Sequence, residues 1–397
     1  MVQAIYTTIM KIRNISIIKT ITLAAFVPMV LSSCLKDKAF PLYDSNNQRP
    51  PVNYTWDKTA DSLQEKLYTT YLSSNAKYFV QDNAGNNTFH YWPNAHVLDV
   101  LTDGYTRSKS EVYKQRMKAL LTGIKDSNGN SYINDYYDDM EWLAVSSLRA
   151  YIETQDAAFL DVANLLWADI KTGLNNNQGG GIAWRKSQLD YKNTPANAPA
   201  IIFAVRLNRV NNNAADLDLA KSLYTWLKGK LIDPSTGIVW DGINGNGDGQ
   251  ISKNKYTYNQ GIYVGAALEL YKTTKDGVYL QDAVRTAKAA INDNELTPGG
   301  ILKSEGQGDG GLFKGILIRY FTLLAQEPDV SASDRDVLVK FLKYNAQTLF
   351  TNGIDRPALT ISPDWNKKPS GTTDLTTQLS GMMLIEAAAA LNTAKLF

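Results

Sequence analysis

Apolar residues recur every three to four positions over most of the chain after residue 55, which is the spacing of an amphipathic α-helix. Loops rich in Gly, Asn and Pro separate the segments that show this spacing. Strand-like stretches are few and short, such as Gly237–Trp240, and we expect them to be pairings between loops. The pattern predicts twelve helices, near 57–80, 93–106, 109–125, 138–154, 157–173, 196–210, 214–231, 257–274, 277–292, 310–326, 333–350 and 373–394.

Twelve helices in succession form six helical hairpins if each helix packs against the next. Each hairpin has one apolar face that it must bury against neighbours. Six hairpins can close into a toroid of six inner and six outer helices, and an open solenoid is the alternative. The segment from Leu379 to Leu391 is rich in Ala and Met, as expected of a tightly packed inner helix. We therefore predict an all-α, single (α/α)6 domain over residues 56–397.

The first 33 residues have the pattern of a secretory signal. Residues 11–19 are positively charged, an apolar run follows from Thr20 to Leu31, and the next residues end at Cys34 in a sequence that resembles a bacterial lipobox. The apolar run is shorter than the roughly 20 residues that span a bilayer, which disfavours an uncleaved anchor. We predict a signal peptide over 1–33, a lipidated Cys34 and a flexible tether over 34–55.

This prediction places the protein outside the cytoplasm, on the outer membrane and attached through its lipid alone. Cys34 is the only cysteine of the chain, so no internal disulfide competes with lipidation. Met10 is an alternative start residue, because the residues before it add nothing that a signal peptide needs. We expect the remainder of the chain to be a soluble monomer.

The charge balance argues against several classes of partner. The chain has 41 Lys and Arg against 39 Asp and Glu, and three of the basic residues but no acidic residue precede Cys34. The rest of the chain is therefore nearly neutral, which argues against nucleic acid and against strongly charged polymers. An uncharged polysaccharide is compatible with this balance, and 22 Tyr and 8 Trp provide flat side chains for stacking on sugars.

Common catalytic and metal-binding motifs are absent from the sequence. The only histidines are His90 and His96, and without Cys-x-x-Cys or His-Glu-x-x-His a zinc site is not expected. We interpret His96, inside the second helical segment, as a hydrogen-bonded structural residue. No Gly-x-Ser-x-Gly elbow is present, and Gly179–Gly181 lacks the Lys-Ser/Thr of a phosphate-binding loop. Carboxylates remain as the candidate catalytic groups.

Asp138 and Asp139 are adjacent at the point where a Gly/Asn loop enters a helix, among Tyr136, Tyr137 and Trp142. One aspartate at such a position often only caps the first helical turn. Adjacent side chains on a helix diverge by about 100°, so two carboxyl groups there can lie roughly 5–7 Å apart across a cleft. Retaining glycosidases need about 5–5.5 Å between nucleophile and proton donor. The pair is either a helix cap or a catalytic pair.

The stretch Tyr137–Ala144, which reads Tyr-Asp-Asp-Met-Glu-Trp-Leu-Ala, resembles the catalytic signature of glycoside hydrolase family 76, the endo-α-1,6-mannanases. Other blocks resemble the same family in the same order, over about residues 56–390. They are Tyr91–Asp99, Gly179–Trp184, Tyr191–Asn197, Tyr256–Gly261 and Asp309–Gly315. The resemblance implies an (α/α)6 barrel that cleaves α-1,6-mannosidic bonds of mannan with retention.

The resemblance also implies roles for the pair. Asp138 is the expected nucleophile, and Asp139 the expected acid/base, with a pKa raised by the Asp138 charge and by aromatic burial. The common version of the family motif, Asp-Asp-Met-Ala, ends here in Glu141, which we interpret as a supporting or solvent-facing group. A mannan transglycosidase with the same pair and a non-catalytic glycan-binding lipoprotein are the alternatives.

The remaining blocks contain side chains suited to neutral sugars. Aromatic rings can stack on hexose faces, although any single Trp is equally well explained as a core residue. Asn and Gln side chains offer paired donors and acceptors to hydroxyl groups. The predicted substrate-binding residues are Tyr91, Trp92, Tyr137, Trp142, Trp184, Asn193, Tyr258, Asn259, Gln260, Asp309 and Lys314. We interpret Asp99 as structural.

Residues 244–251 match the first half of an EF-hand calcium loop. Lys255 occupies the position at which such a loop has its bidentate Glu, so the ligand set is incomplete. An Asn/Gly turn explains the stretch equally well. We expect no cofactor, and any calcium held by this loop would be structural.

Overall fold

The structure, a computed structural model, describes residues 52–397. The predicted signal peptide, Cys34 and most of the tether lie outside the described residues. No helix within 52–397 is long and apolar enough to cross a membrane. Twelve α-helices make up most of this part of the chain: α1 (Trp56–Tyr71), α2 (Tyr91–Ser108), α3 (Glu111–Ser127), α4 (Tyr137–Thr154), α5 (Ala157–Ile170), α6 (Ala198–Asn211), α7 (Ala214–Leu231), α8 (Thr257–Thr274), α9 (Gly277–Asn292), α10 (Gly310–Ala325), α11 (Ala332–Thr348) and α12 (Leu375–Thr393).

The even-numbered helices form a closed inner ring. Each packs against the next even-numbered helix, and α12 returns to α2. The odd-numbered helices lie outside this ring, and α1 at the start of the domain packs against α12 at its end. The predicted (α/α)6 barrel is therefore confirmed, and the alternative of an open solenoid is wrong.

Burial along each helix explains which ring it joins. α12 is buried on all sides from Leu375 to Ala389, as a helix without a polar face must be. The outer helix α9 instead buries one stripe, at Ala283, Ala287 and Ala290, and leaves its other faces to solvent. The Ala- and Met-rich segment identified in the sequence is thus an inner helix.

Glycines allow the inner helices to approach closely. A Cβ atom added at Gly261 of α8 would lie 2.4 Å from Cα of Leu317 in α10, and one at Gly315 of α10 would lie 2.6 Å from Cα of Ser380 in α12. Both distances are far below van der Waals contact, so the ring could not close as tightly with larger residues at these crossings.

The C-terminal halves of the inner helices are joined by ion pairs. Arg319 of α10 bonds both carboxyl oxygens of Asp103 in α2, at 2.8 and 2.7 Å, and Arg149 of α4 pairs with Asp99 at 2.6 Å. Arg206 of α6 pairs with Glu269 of α8 at 2.6 Å. These contacts bridge helices that are distant in sequence and stabilise the end of the ring opposite the helix N-termini.

The first predicted helix, 57–80, is too long, because α1 ends at Tyr71. The Ser73 hydroxyl accepts hydrogen bonds from the amides of Lys77 and Tyr78, and this local turn competes with the helical backbone pattern. Two isolated bridges follow, Leu72 with Phe79 and Val80 with Phe89. The other eleven helices agree with their predicted bounds to within a few residues.

Short strands lie in the loops at the N-terminal end of the inner ring. The strands are β1 (Ala183–Arg185), β2 (Gln188–Asn193), β3 (Gly242–Ile243), β4 (Ile251–Ser252), β5 (Ile354–Asp355) and β6 (Thr360–Ile361). β1 to β4 form one antiparallel sheet in sequence order, and β5 pairs with β6. The stretch Gly237–Trp240 contributes an isolated bridge, between Val239 and Ile232.

Candidate active site

Loops and helix N-termini at one end of the inner ring bring the predicted site residues together. Tyr91, Tyr137, Thr257 and Gly310 are the first residues of α2, α4, α8 and α10. Helix N-termini carry partial positive charge, so this end of the ring favours carboxylates. The sheet reaches the same place, because Arg185 of β1 pairs with the residue before α4.

Asp138 lies in the first turn of α4, half-buried, with a donor on each carboxyl oxygen. Its Oδ1 accepts from the Asp139 backbone amide at 3.0 Å, and its Oδ2 accepts from the Trp184 indole at 3.0 Å. Burial raises the pKa of Asp138 to about 7, and the Asp309 charge adds to the rise, while the two donors oppose it. The donors favour the ionised form.

The carboxyl group of Asp139 has fewer hydrogen-bond donors than that of Asp138 to stabilise its ionised form. Its Oδ2 accepts from the Asn134 side-chain amide at 3.1 Å. Burial raises its pKa well above the usual value, and the charges of Asp138 and Asp309 raise it further. Because the charge on either carboxyl group disfavours a charge on the other, the two groups do not both ionise easily. The hydrogen bonds place the charge on Asp138 and the proton on Asp139.

Aromatic residues line the space around the pair. Trp92, half-buried at the start of α2, donates its indole N–H to Asp309 Oδ1 at 3.0 Å. Tyr258 stacks on Phe313 with ring centroids 4.0 Å apart and an interplanar angle of 10°. Trp184 stays partly exposed beside Asp138. These four predicted residues, Trp92, Trp184, Tyr258 and Asp309, present surface to the site.

A further carboxylate, Asp241, lies on the same side of the site. The Asn259 amide donates to its Oδ1 at 3.1 Å, and the Tyr191 hydroxyl lies 3.4 Å from its Oδ2. The Tyr191 ring meets Trp184 edge-on at 5.5 Å, which connects this group to Asp138. Burial raises the pKa of Asp241. Asn259 is fully buried and reaches the site through Asp241.

Six other predicted substrate-binding residues lie in the packed interior. They have exposed fractions of 5% or less and most of them bond to the protein: Tyr91, Tyr137, Trp142, Asn193, Gln260 and Lys314. These side chains therefore expose little surface, and the structure gives each a packing or hydrogen-bonding role.

The polar members of this group bond to backbone atoms. Gln260 bonds both the amide and the carbonyl of Val239 at 2.8 Å. Asn193 accepts from the Ala196 amide at 3.1 Å. Lys314 donates to the Pro363 carbonyl, and burial lowers its pKa to about 7. They shape the loops that surround the site.

The aromatic members contact neighbouring elements. The Tyr91 hydroxyl donates to the Tyr132 carbonyl at 2.6 Å, and that of Tyr137 lies 3.1 Å from the Thr172 hydroxyl. The Trp142 ring packs on His96 at 4.7 Å. These contacts support the floor of the site.

The interpretation of His96 as hydrogen-bonded is wrong. Both ring nitrogens are buried and have no hydrogen-bond partner among residues 52–397, and the ring packs against Trp92 and Trp142. Burial lowers the pKa of His96 to about 3, so the imidazole is neutral. Asp99 pairs with Arg149 and Arg319 far from the catalytic pair.

Glu141 is not solvent-facing. It is fully buried one turn after Asp138, and among residues 52–397 no side chain donates to either carboxyl oxygen. Burial raises its pKa well above the usual value, and the Asp138 charge adds to the rise, although the nearby Ala200 amide opposes it. The side chain is therefore an uncharged acid behind the nucleophile candidate.

The candidate calcium loop is a hairpin between β3 and β4. Asn244 Oδ1 accepts from the Gly249 amide at 2.7 Å, and Asp248 Oδ1 accepts from the Gln250 amide at 3.0 Å. Its oxygens therefore bond to the loop itself. Within residues 52–397, no group of three or more His, Cys, Asp and Glu side chains is arranged to hold a metal ion.

Asn134 and Asp241 were not among the predicted site residues. Asn134 lies five residues before Asp139. This spacing alone does not show whether Asn134 only forms a turn or also bonds to the Asp139 carboxyl group. Asp241 is 102 residues from Asp139 in sequence, and only the packing of the sheet against α8 brings it to the site.

Known proteins share this fold and a substantial part of this sequence. The GH76A α-1,6-mannanase of Salegentibacter sp. HEL1_6 is 49% identical, with a TM-score of 0.83, and the match covers 85% of this chain and 99% of that one. An inactive variant of that enzyme, with two consecutive aspartates replaced by asparagine, has been solved with α-1,6-mannotriose. A Listeria innocua protein is 38% identical over 86% of this chain and 99% of its own, with a TM-score of 0.80.

A more distant relative comes from a fungus. The mannan endo-1,6-alpha-mannosidase DCW1 of Eremothecium gossypii is 25% identical in an alignment of 284 positions, and the match covers 65% of this chain and 59% of the relative. The chain thus spans somewhat more than half the length of that relative. The model of glycosyl hydrolase family 76 matches residues 55–396, nearly the whole described part. The chain belongs to glycosyl hydrolase family 76.

Proposed function

We propose that this glycoside hydrolase is a retaining endo-α-1,6-mannanase, with Asp138 as nucleophile and Asp139 as acid/base. The observation that carries the proposal is the pair itself, in which donors stabilise charge on Asp138 while burial and neighbouring charges keep the proton on Asp139. The similarity to a bacterial α-1,6-mannanase over nearly its full length supports the substrate. Half-buried aromatic rings and a nearly neutral chain suit an uncharged polysaccharide.

In the first step, a carboxylate oxygen of Asp138 attacks the anomeric carbon. The bond to the glycosidic oxygen breaks, and Asp139 gives its proton to that oxygen. The product is a glycosyl ester on Asp138. Because the ester is neutral, the Asp138 charge that raises the pKa of Asp139 disappears.

In the second step, Asp139 acts as a base. Its lowered pKa lets it take a proton from water, whose oxygen attacks the anomeric carbon and breaks the ester. The sugar leaves with its original configuration, since two inversions have occurred. Asp139 is thus an acid while Asp138 is charged and a base while Asp138 is part of the neutral ester.

The test is release of oligosaccharides from linear α-1,6-mannan, with product sizing and NMR of the first anomer formed. Asp138→Asn and Asp139→Asn should each lose at least about a thousandfold in kcat/KM. Asp135→Asn is a matched control, because this exposed aspartate precedes the same helix and its Oδ2 bonds only to Ser187 among the described residues. A wild-type protein that binds mannan without cleaving it would overturn the proposal. Products longer than the substrate would favour transglycosylation, and active pair variants would reject the assigned roles.

We propose in addition that the protein is a monomeric lipoprotein of the outer membrane, anchored by Cys34. The support is the sequence of residues 11–34, with its positive, apolar and small-residue regions. Metabolic labelling with a fatty acid should mark the wild type and not Cys34→Ala, which should leave the membrane fraction. Equal labelling of both, or sedimentation of the soluble domain as an oligomer, would contradict this proposal.

A further inference from the structure

Asn134, in the loop before α4, has two hydrogen bonds that fix its orientation. Its Oδ1 accepts from the Tyr136 backbone amide at 3.1 Å, which closes a turn of the Asx type. Its Nδ2 donates to Oδ2 of Asp139 at 3.1 Å. A backbone amide can only donate, so the side-chain oxygen must face Tyr136 and the side-chain nitrogen must face Asp139.

The groups around Asp139 differ in what they can do to its proton. Asp138 on the same helix and Asp309 at the start of α10 are negative, and the Tyr91 hydroxyl of α2 already donates to a backbone carbonyl. Among residues 52–397, Asn134 is the one side chain that donates to the Asp139 carboxyl. Its donation opposes the rise in the pKa of Asp139 that burial and both carboxylates cause.

The direction of this bond determines which oxygen carries the proton. The carbonyl oxygen of a neutral carboxylic acid accepts a hydrogen bond better than its hydroxyl oxygen does, so an amide N–H facing Oδ2 favours the proton on Oδ1. When Asp139 has lost its proton, the same N–H stabilises the charge on Oδ2. One donor therefore suits both protonation states, and it leaves Oδ1 as the oxygen that exchanges the proton.

We propose that Asn134 is a positioning residue for the acid/base Asp139, directing proton transfer to Oδ1 and stabilising the ionised acid between the two steps. This inference rests on the proposed function. During glycosylation the proton passes from Oδ1 to the departing glycosidic oxygen, and during deglycosylation Oδ1 takes a proton from the attacking water. Asn134 forms and breaks no covalent bond.

The informative variant is Asn134→Ser, which retains an oxygen for the Tyr136 amide and removes the amide donor. The alkaline limb of the kcat/KM profile reports loss of the acid proton, so it should move up by about 0.5–1 pH unit. Asn134→Asp has the same shape, keeps the acceptor and adds a like charge, and its limb should move further in the same direction. Circular dichroism melts identify any loss of folding.

A second readout separates the two steps. On an aryl mannoside with a good leaving group, which needs little acid assistance, Asn134→Ser should lower kcat and KM together because deglycosylation needs the ionised base. Asn175→Ser is the matched control, since Asn175 Oδ1 accepts from the Asn177 amide at 3.0 Å in a similar turn away from the pair. It should leave both the pH profile and the ratio of kcat to KM unchanged.

The outcomes distinguish this inference from the proposed function. If the wild type does not hydrolyse α-1,6-mannan, the proposed function fails. If the wild type is active and Asn134→Ser has the alkaline limb of the wild type, or one moved to lower pH, the role of Asn134 is overturned. A lower melting temperature without a shifted limb also overturns it, because that result assigns Asn134 to the turn alone.

Discussion

The Trp184 indole nitrogen donates a hydrogen bond to Oδ2 of Asp138 over 3.0 Å, from strand β1 to helix α4. An indole N–H can only donate, so this contact favours the ionised carboxylate and opposes the effect of burial on its pKa. The same ring remains partly exposed. Trp184 therefore links the sheet to the charge state of Asp138, the proposed nucleophile.

Trp184→Phe removes this donor and retains an aromatic ring. The pKa of Asp138 should rise, so the acidic limb of kcat/KM should move up by about one pH unit, with about tenfold less activity below it. Trp167→Phe is the control, because the Trp167 indole donates to Asp216 at 2.8 Å between α5 and α7. It should cost stability and leave the limb in place. An unmoved limb in Trp184→Phe would show that the indole does not affect Asp138.

Glu141→Gln tests whether the buried acid is uncharged. The unfolded chain ionises this residue above its usual pKa of 4.5, whereas the folded protein keeps the proton to a much higher pH. The wild type therefore loses stability as pH rises through this window, by up to about 1.4 kcal/mol per unit. The variant lacks this loss, so its free energy of unfolding should exceed that of the wild type by an amount that grows from pH 5 to 7.

Urea unfolding at several pH values measures that difference. Glu111→Gln, an exposed substitution in the first turn of α3, should show no comparable divergence from the wild type. A difference for Glu141→Gln that stays constant with pH would mean that Glu141 is ionised in the folded protein. Activity near pH 7 should persist, since glutamine has the shape of the uncharged acid.

Asp309→Asn removes a charge that raises the pKa values of Asp138 and Asp139, the proposed catalytic pair. Both limbs of the kcat/KM profile should therefore move to lower pH, by about 0.5 unit. The Trp92 indole can still donate to the asparagine oxygen, so its orientation should persist. Asp248→Asn, in the β3–β4 loop, is the control. Movement of either limb to higher pH would contradict the electrostatic role of Asp309.

Helical periodicity predicted the number of helices, because outer helices such as α9 bury one stripe and inner helices such as α12 are apolar over helical lengths. The error at α1 arose where Ser73 begins a turn, a local competition that apolar spacing does not record. The pair Asp138 and Asp139 was recognisable because both residues are adjacent in sequence. The contact of Asp138 with Trp184 could not be recognised from the sequence, because 46 residues separate the two. Only the bridge between Arg185 of β1 and Tyr136, the residue before α4, brings them together.

Residue type alone also did not indicate which of the predicted substrate-binding side chains are buried. Gln260 lies beside Asn259 in α8, but its helix phase turns it onto Val239. Lys314 lies one turn after Gly310 and points between α10 and the Pro363 loop. The direction in which each side chain points depends on how neighbouring helices cross. It therefore follows from packing and cannot be taken from the sequence blocks.

Arg319→Gln tests the ion pairs at the far end of the ring. The change leaves Asp99 and Asp103 with fewer cations in a largely buried cluster, which should cost about 3–5 kcal/mol of unfolding free energy. In the wild type the pKa of Asp99 is lowered to about 2 from 3.8, so its stabilisation is present above pH 3.8 and is lost as pH falls to about 2. Without Arg319 the folded-state pKa of Asp99 should lie closer to 3.8, so this loss should be smaller and should end at a higher pH.

Lys77→Gln is the control for this change, because the Lys77–Asp126 pair is exposed and should contribute at most about 1 kcal/mol. The kcat of Arg319→Gln on mannan should equal that of the wild type below the melting temperature, since the cluster lies at the C-terminal halves of the inner helices. Equal stability of Arg319→Gln and the wild type would mean that the inner ring does not depend on these ion pairs. A reduced kcat in a fully folded variant would show instead that this end of the ring is coupled to the N-terminal turns that hold Asp138 and Asp139.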